Sequence, residues 1–294
     1  MTSPIIIKQT IKNFSKKINI SPDKSLSIRF LILASMAKGK SKALNLSNGE
    51  DVKSTIKCLK KLGISIKLNK KSCEIIGNGI NSYTYKNNLT LDAGNSGTAA
   101  RLIASTLVNS TKTIKITGDK SLKKRDMKRI INPLKEFGAK FKRNMGTLPI
   151  SMRGSNLIKP INYKELKGSA QCKSAVMIAA LSAYGITKLQ CIPSRDHTEI
   201  LYKNVLKLPI KIKKTKKFDY ISIKGKQNFK GFNYKIPGDI SSAAFPIVLT
   251  LLAKKSRITI KNVNINQTRT GLISILNLMG ASIKFKNKRI YKGE

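Results

Sequence analysis

Four apolar stretches recur along this 294-residue chain at nearly equal spacing, and that repetition constrains the fold more than any other feature. The stretches are Phe30–Ala37, Ala99–Val108, Ala175–Ala183 and Ala243–Ala253, each preceded by a short loop rich in Ser, Gly and Asp. With Ser25, Ser96, Ser169 and Ser242 as markers, the steps are 71, 73 and 73 residues. After each apolar stretch comes a β-rich run: Lys42–Leu46, Thr113–Thr117, Thr187–Ile192 and Arg257–Val263. Amphipathic helices are then expected, with polar starts at Asp51, Ser121, Asp196 and Thr268. Gly63, Gly138 and Gly280 stand where a helix C′ glycine belongs. Alternating strands follow, such as Ile64–Leu68 and Ala281–Phe285. A solenoid is the scaffold alternative, but its repeats run about 20–50 residues. The pattern predicts a mixed α/β fold of repeated helix–strand–helix–strand units.

An apolar helix opened by a small polar loop has a chemical consequence. Its first turn presents free N–H groups and a partial positive charge. Small residues let a phosphate or carboxylate reach those amides. Several such termini converging would form a pocket for a multiply charged anion, against the plainer reading of capped core helices. Cationic side chains cluster at the same places. Lys24 and Arg29 flank Ser25, and Ser25 and Arg29 lie four apart on one helical side. Arg101 closes Asn95-Ser96-Gly97-Thr98-Ala99-Ala100-Arg101, and Arg125 and Arg129 are spaced by one turn after Gly118-Asp119-Lys120-Ser121. Ser194-Arg195-Asp196-His197-Thr198-Glu199 contains the letters of a hydrolase triad, but adjacent residues cannot adopt that geometry, so a helix start with a polar substrate contact is expected. Gly39-Lys40-Ser41 is not a Walker loop, because Ala34 occupies the position of its first glycine.

Composition narrows the chemistry. Lys+Arg is 58 against Asp+Glu 14, a net charge of +44, which disfavours calcium or di-metal carboxylate sites. The single histidine, His197, excludes most zinc-hydrolase patterns, and no metal is expected. Cys58, Cys73, Cys172 and Cys191 form no CxxC pair and read as reduced thiols. The N-terminus shows no long apolar run of a leader, and Ala243–Ala253 is about half a membrane span. A cytoplasmic protein without a membrane partner is expected. The charge leaves open a basic nucleic-acid-binding protein, a class whose affinity falls steeply with salt. Yet only ten of the 58 cations are arginine, and the lysines are spread along every segment. Non-specific nucleic-acid contact is the expectation, and a small anionic substrate would profit from the same field.

Together the segments resemble the enolpyruvyl transferases, in the branch acting on shikimate 3-phosphate. The likeness runs through Asp23-Lys24-Ser25-Leu26-Ser27-Ile28-Arg29, Leu91–Arg101, Gly118–Arg125, Ser169-Ala170-Gln171-Cys172-Lys173-Ser174, Ser194–Glu199, Pro237–Ala244 and Thr268–Leu272. The branch acting on UDP-N-acetylglucosamine is the near alternative, but its cysteine loop has no counterpart here. The resemblance implies an inside-out α/β barrel and transfer of the enolpyruvyl group of phosphoenolpyruvate to the 5-hydroxyl of shikimate 3-phosphate, with no cofactor. It implies Lys24, Ser25, Arg29, Ser169, Ala170, Gln171 and Ser194 on shikimate 3-phosphate, and Lys24, Gly97, Arg125 and Gln171 on phosphoenolpyruvate. Ser21-Pro22, Ile28 and Asp126 depart from the family pattern. By the same resemblance about four of six units are present, with residues 21–235 one complete globe and 1–20 plus 236–294 part of a second. The family's acid–base residues then fall outside this chain, apart from a contribution by Lys24. Weak turnover alone is expected, with a second chain as a candidate source of the remaining units.

Overall fold

The computed structural model describes residues 11–70, 72–142 and 146–294. The fold is α/β, and the helices predicted from the apolar stretches organise it. The first repeat contains β1 (Ser15–Asn19), α1 (Lys24–Met36), β2 (Lys38–Leu44), α2 (Glu50–Lys61), β3 (Ser65–Leu68) and β4 (Ser72–Asn78). The second contains β5 (Leu89–Asp92), α3 (Gly97–Thr106), β6 (Ile114–Thr117), α4 (Lys120–Lys123), α5 (Lys128–Glu136), β7 (Lys140–Phe141) and β8 (Ile150–Arg153). The third contains β9 (Asn162–Glu165), α6 (Ala170–Ala180), β10 (Ile186–Cys191), α7 (His197–Ile200), β11 (Ile210–Lys214) and β12 (Asp219–Lys224). The remainder is β13 (Asn233–Lys235), α8 (Ile240–Leu252), β14 (Arg257–Lys261) and α9 (Gly271–Leu278).

Two units divide the described residues. The larger comprises Asp23–Ile236 with Arg289–Glu294, and the smaller comprises the residues up to Pro22 with Pro237–Lys288. Residues 289–294, which the family pattern assigns to the partial globe, therefore lie with the larger unit. Tyr291 packs on Tyr234, and its hydroxyl accepts from the Lys235 N–H at 3.1 Å. Among the described residues no helix is long and apolar enough to cross a membrane.

The larger unit repeats one sheet three times, in the orders β13-β2-β4-β3, β5-β6-β8-β7 and β9-β10-β12-β11. Each begins with a parallel pair and continues with two antiparallel pairings. In the second and third sheets the parallel pair brackets an apolar helix, α3 or α6. In the first sheet β13 takes that edge position beside β2, while β1, which precedes α1 in sequence, pairs with β14 in the smaller unit. The repeat is thus closed by a strand from the far end of the segment.

Helices apolar on all sides belong in a core. α1 is buried throughout Leu26–Met36, α6 throughout Cys172–Ala180, and α3 everywhere except Arg101. The smaller unit has a different outcome. α8 is more apolar than the other three, yet within it only Ile240 and Ala243 are buried, and Phe245 and Leu252 are 80% and 79% exposed. α9 likewise leaves Leu278 exposed.

Other expectations need correction. The helix expected from Ser121 is two helices, because Asp119 caps α4 and the Asp126 carboxylate accepts from the Lys128 N–H at 2.7 Å at the start of α5. Residues 281–285 form no strand. The Ala281 N–H bonds back to Leu276 O and the Ile283 N–H to Asn277 Oδ1, so no ladder forms. The C′ glycines do take positive φ, +84° at Gly63, +108° at Gly138 and +92° at Gly280, and in the third repeat Lys207 adopts φ +54° instead.

Each apolar helix of the larger unit also ends against a strand-end glycine. A Cβ at Gly77 would meet Ala34 O and Ala37 O at 2.4 Å, at Gly154 Val108 O at 2.2 Å, and at Gly225 Ala183 O at 2.1 Å. The obstacle is backbone each time, so a side chain there forces helix and sheet apart. Gly225→Ala is expected to lower stability by about 1–3 kcal/mol in urea denaturation. Retention of the wild-type midpoint would show that this close approach does not hold the repeat together.

Candidate functional site: converging helix N-termini

Four apolar helices begin at similar points but with unlike caps. Asp23 caps α1, Ser96 caps α3, Ser169 caps α6 and Asp239 caps α8, each side chain accepting a first-turn N–H. A carboxylate cap offsets the partial positive charge of a helix N-terminus, whereas a serine hydroxyl does not. None of α1, α3 or α6 has an acidic residue in its first turn. The serine-capped α3 and α6 are therefore the termini most receptive to an anion.

Two side-chain chains join these termini, both through the start of α6. On one side, Arg29 of α1 is 4% exposed and donates from Nε to Thr198 Oγ1 and from Nη2 to Ser174 Oγ, each at 2.9 Å. Ser174 Oγ and Thr198 Oγ1 are 2.7 Å apart, so α1, α6 and α7 share one buried polar cluster. Arg29 Nη1 also reaches Ser25 O at 3.2 Å, which sets the two residues on one helical face. On the other side, Arg101 Nη1 donates to Gln171 Oε1 at 2.6 Å, and Gln171 Nε2 donates to Thr98 Oγ1 at 2.8 Å. Gln171 and Ser174 are one turn apart on α6, so that single turn faces α3 with one side chain and α1 with the other.

Arg125 lies between α4 and α5, donates to Asn95 Oδ1 at 2.8 Å, and is held there with Asn95 and Asp119. Gly97 stands beneath both arginines. A Cβ there would lie 2.6 Å from Arg101 Nη1 and 3.4 Å from Arg125 Nη1, so glycine lets two guanidinium groups approach the α3 terminus. The Gly97 N–H itself bonds Asn95 O at 3.1 Å. Lys24, the first residue of α1, pairs with Asp51 at 2.8 Å.

The loop before α6 is shaped by Glu165, whose carboxylate accepts the Lys167 and Ser169 N–H groups at 3.1 and 2.9 Å. Ala170 is the first residue of α6. Ser194 follows β10, and its buried Oγ has no hydrogen-bond partner within the protein. Behind it Lys173 and Glu199 form a buried pair at 2.5 Å. Burial pushes the Glu199 carboxyl up, and the neighbouring Lys173 opposes that shift. Cys172 is buried and its thiol is also raised by burial, so it is packing rather than a nucleophile.

The sequence, through its family resemblance, singles out Lys24, Ser25, Arg29, Gly97, Arg125, Ser169, Ala170, Gln171 and Ser194. It assigns no role to Ser174 or Thr198, and it places Arg101 at the α3 terminus without its partner Gln171. An arginine in the one exposed-facing position of an otherwise buried helix was the available signal for Arg101. All of these residues belong to the larger unit.

Three α/β repeats thus bring the first turns of α1, α3 and α6 together through Arg29 and Arg101. Residues 8–293 match the EPSP synthase family, described as 3-phosphoshikimate 1-carboxyvinyltransferase. The chain belongs to this family. It is 40% identical over 294 residues to the 3-phosphoshikimate 1-carboxyvinyltransferase of Ruthia magnifica subsp. Calyptogena magnifica, covering 99% of this chain and 66% of that protein. The same enzyme of Petrotoga mobilis is 40% identical over 96% of this chain and 65% of its own length. The crystal structure of EPSP synthase from Acinetobacter baumannii superposes with a TM-score of 0.84 at 35% identity, over 96% of this chain and 63% of that one. The chain thus spans about two thirds of the length of the relatives it matches.

The Thr198 hydroxyl accepts from Arg29 Nε and shares a hydrogen bond with Ser174 Oγ, which itself donates to Ala170 O. Thr198→Val keeps its shape and removes that group, and is expected to cost about 1–3 kcal/mol in thermal or urea unfolding. An unchanged transition would mean that the buried cluster does not bind the three helices together.

Proposed function

We propose that this chain forms the substrate-binding part of an enolpyruvyl transferase that moves the enolpyruvyl group of phosphoenolpyruvate to the 5-hydroxyl of shikimate 3-phosphate. The observation that carries the reading is the joining of the α1, α3 and α6 first turns, none with an acidic residue, through Arg29–Ser174 and Arg101–Gln171. Shikimate 3-phosphate sits at the α1–α6 side. Its phosphate takes the Ser169 hydroxyl, the Ala170 amide and Ser194, while Ser25, Arg29 and Gln171 hold the rest of the molecule. Phosphoenolpyruvate sits at the α3 side against Gly97 and Arg125, with Gln171 between the two substrates. Lys24 leaves Asp51 to meet both, as a point charge on a flexible stem.

In this reading the 5-hydroxyl adds to C2 of phosphoenolpyruvate while C3 gains a proton. The tetrahedral adduct then loses phosphate from C2 and a proton from C3. The protein's contribution is positioning and charge compensation by Lys24, Arg29 and Arg125. The reaction uses no cofactor.

The larger unit is proposed as one three-unit globe of an inside-out barrel, and the smaller as the start of another. Support comes from the contrast between buried α1, α3 and α6 and exposed α8. The apolar faces of α8 and α9 are proposed to be covered by two further repeat units, which a second chain can bring. The biosynthetic role fits a cytoplasmic location.

Calorimetry is expected to show saturable binding of shikimate 3-phosphate, weakened about tenfold or more by Arg29→Ala in protein that retains its folded transition. Absence of heat from the wild-type chain would contradict the assignment.

A further inference from the structure

Of the many lysines in this chain, Lys173 is the one that is buried among the described residues. It lies in the first half of α6, surrounded in sequence by Cys172, Ser174, Ala175 and Val176, all buried. Desolvating an ammonium and a carboxylate is costly, and a well-packed apolar pair at such a place is often as stable or more so. Packing alone therefore does not account for Lys173 and Glu199.

The contacts of Lys173 suggest what the pair does. Its Nζ donates to Glu199 Oε1 at 2.5 Å and also to the backbone oxygen of Ser194 at 3.3 Å. The next residue of α6, Ser174, already fastens the same segment through Thr198 at 2.7 Å. The lysine adds a second hold, placed on the residue whose Oγ is buried without a partner in the protein. A buried hydroxyl left unsatisfied calls for an acceptor or donor from outside the chain.

We propose that Lys173, anchored by Glu199, is a positioning residue that fixes the Ser194 backbone so that its hydroxyl meets the oxygens of a bound phosphate. The inference rests on the substrate reading above and deepens it. Lys173 does not touch the ligand. Its charge is matched by Glu199, and it acts through the carbonyl it holds.

The decisive variant is Lys173→Met combined with Glu199→Leu, which removes both charges together and leaves no uncompensated ion in the core. The double variant of the full chain is expected to keep or raise the melting temperature. Hydrogen exchange at residues 194–196 should rise at least about tenfold while α6 stays protected. Affinity for shikimate 3-phosphate should fall about tenfold, the loss expected for one charge-assisted hydrogen bond, and affinity for shikimate, which lacks the phosphate, should change less than about twofold. Wild-type affinity for shikimate 3-phosphate in the double variant would overturn the proposal. So would an equal loss for both ligands, which marks a merely structural role. If the unsubstituted chain binds neither ligand, the substrate reading fails first and this inference with it, a result visible before any substitution is made.

Discussion

The guanidinium of Arg29 is the contact on which the larger unit's architecture turns. It reaches Thr198, 169 residues away in sequence, and Ser174, 145 residues away. A buried cation must be surrounded by acceptors, and two hydroxyls from the third repeat satisfy it. That requirement fixes α1 against α6 and α7 at one distance and one rotation. Arg101 does the same between α3 and α6 through Gln171. Planar, forked donors suit this task better than lysine, which explains why a lysine-rich chain keeps arginine here.

The apolar helices supply the reason that these termini meet at all. Each is too apolar to face water, so three of them bury one another and their polar ends are carried to neighbouring places. Glycines Gly77, Gly154 and Gly225 let each helix close on its sheet. The arrangement places serine caps, not carboxylates, on α3 and α6, and leaves their first turns electropositive. The proposed anion site is thus a by-product of burying the helices, refined by the choice of cap. α8 shows the same sequence type without the same burial.

Much of this was legible in the amino-acid order. The spacing of Ser25, Ser96, Ser169 and Ser242 located all four apolar helices, because period and polarity report directly on burial. In two repeats the marker serine is itself the cap, and in the others the cap is Asp23 or Asp239, a local exchange that spacing cannot resolve. The helix expected from Ser121 missed the capping carboxylate of Asp126, and the strand expected at 281–285 lacked a neighbour to bond. Ser174, Thr198 and the partner of Arg101 stayed unread because these contacts join residues about 70 or more apart, or in another repeat, and no local pattern encodes such a pairing. The strand-end glycines were equally silent, since the crowding carbonyls belong to a helix in the preceding half of each unit.

The central claim is that three repeats present one shared anion site through the first turn of α6. Amide chemical-shift mapping with shikimate 3-phosphate tests it directly. The account predicts that shifts concentrate at residues 24–29, 96–101, 169–174 and 194–198, saturating together with one dissociation constant. Shifts scattered over the exposed lysines, or separate saturation of the α1 and α3 segments, would contradict it.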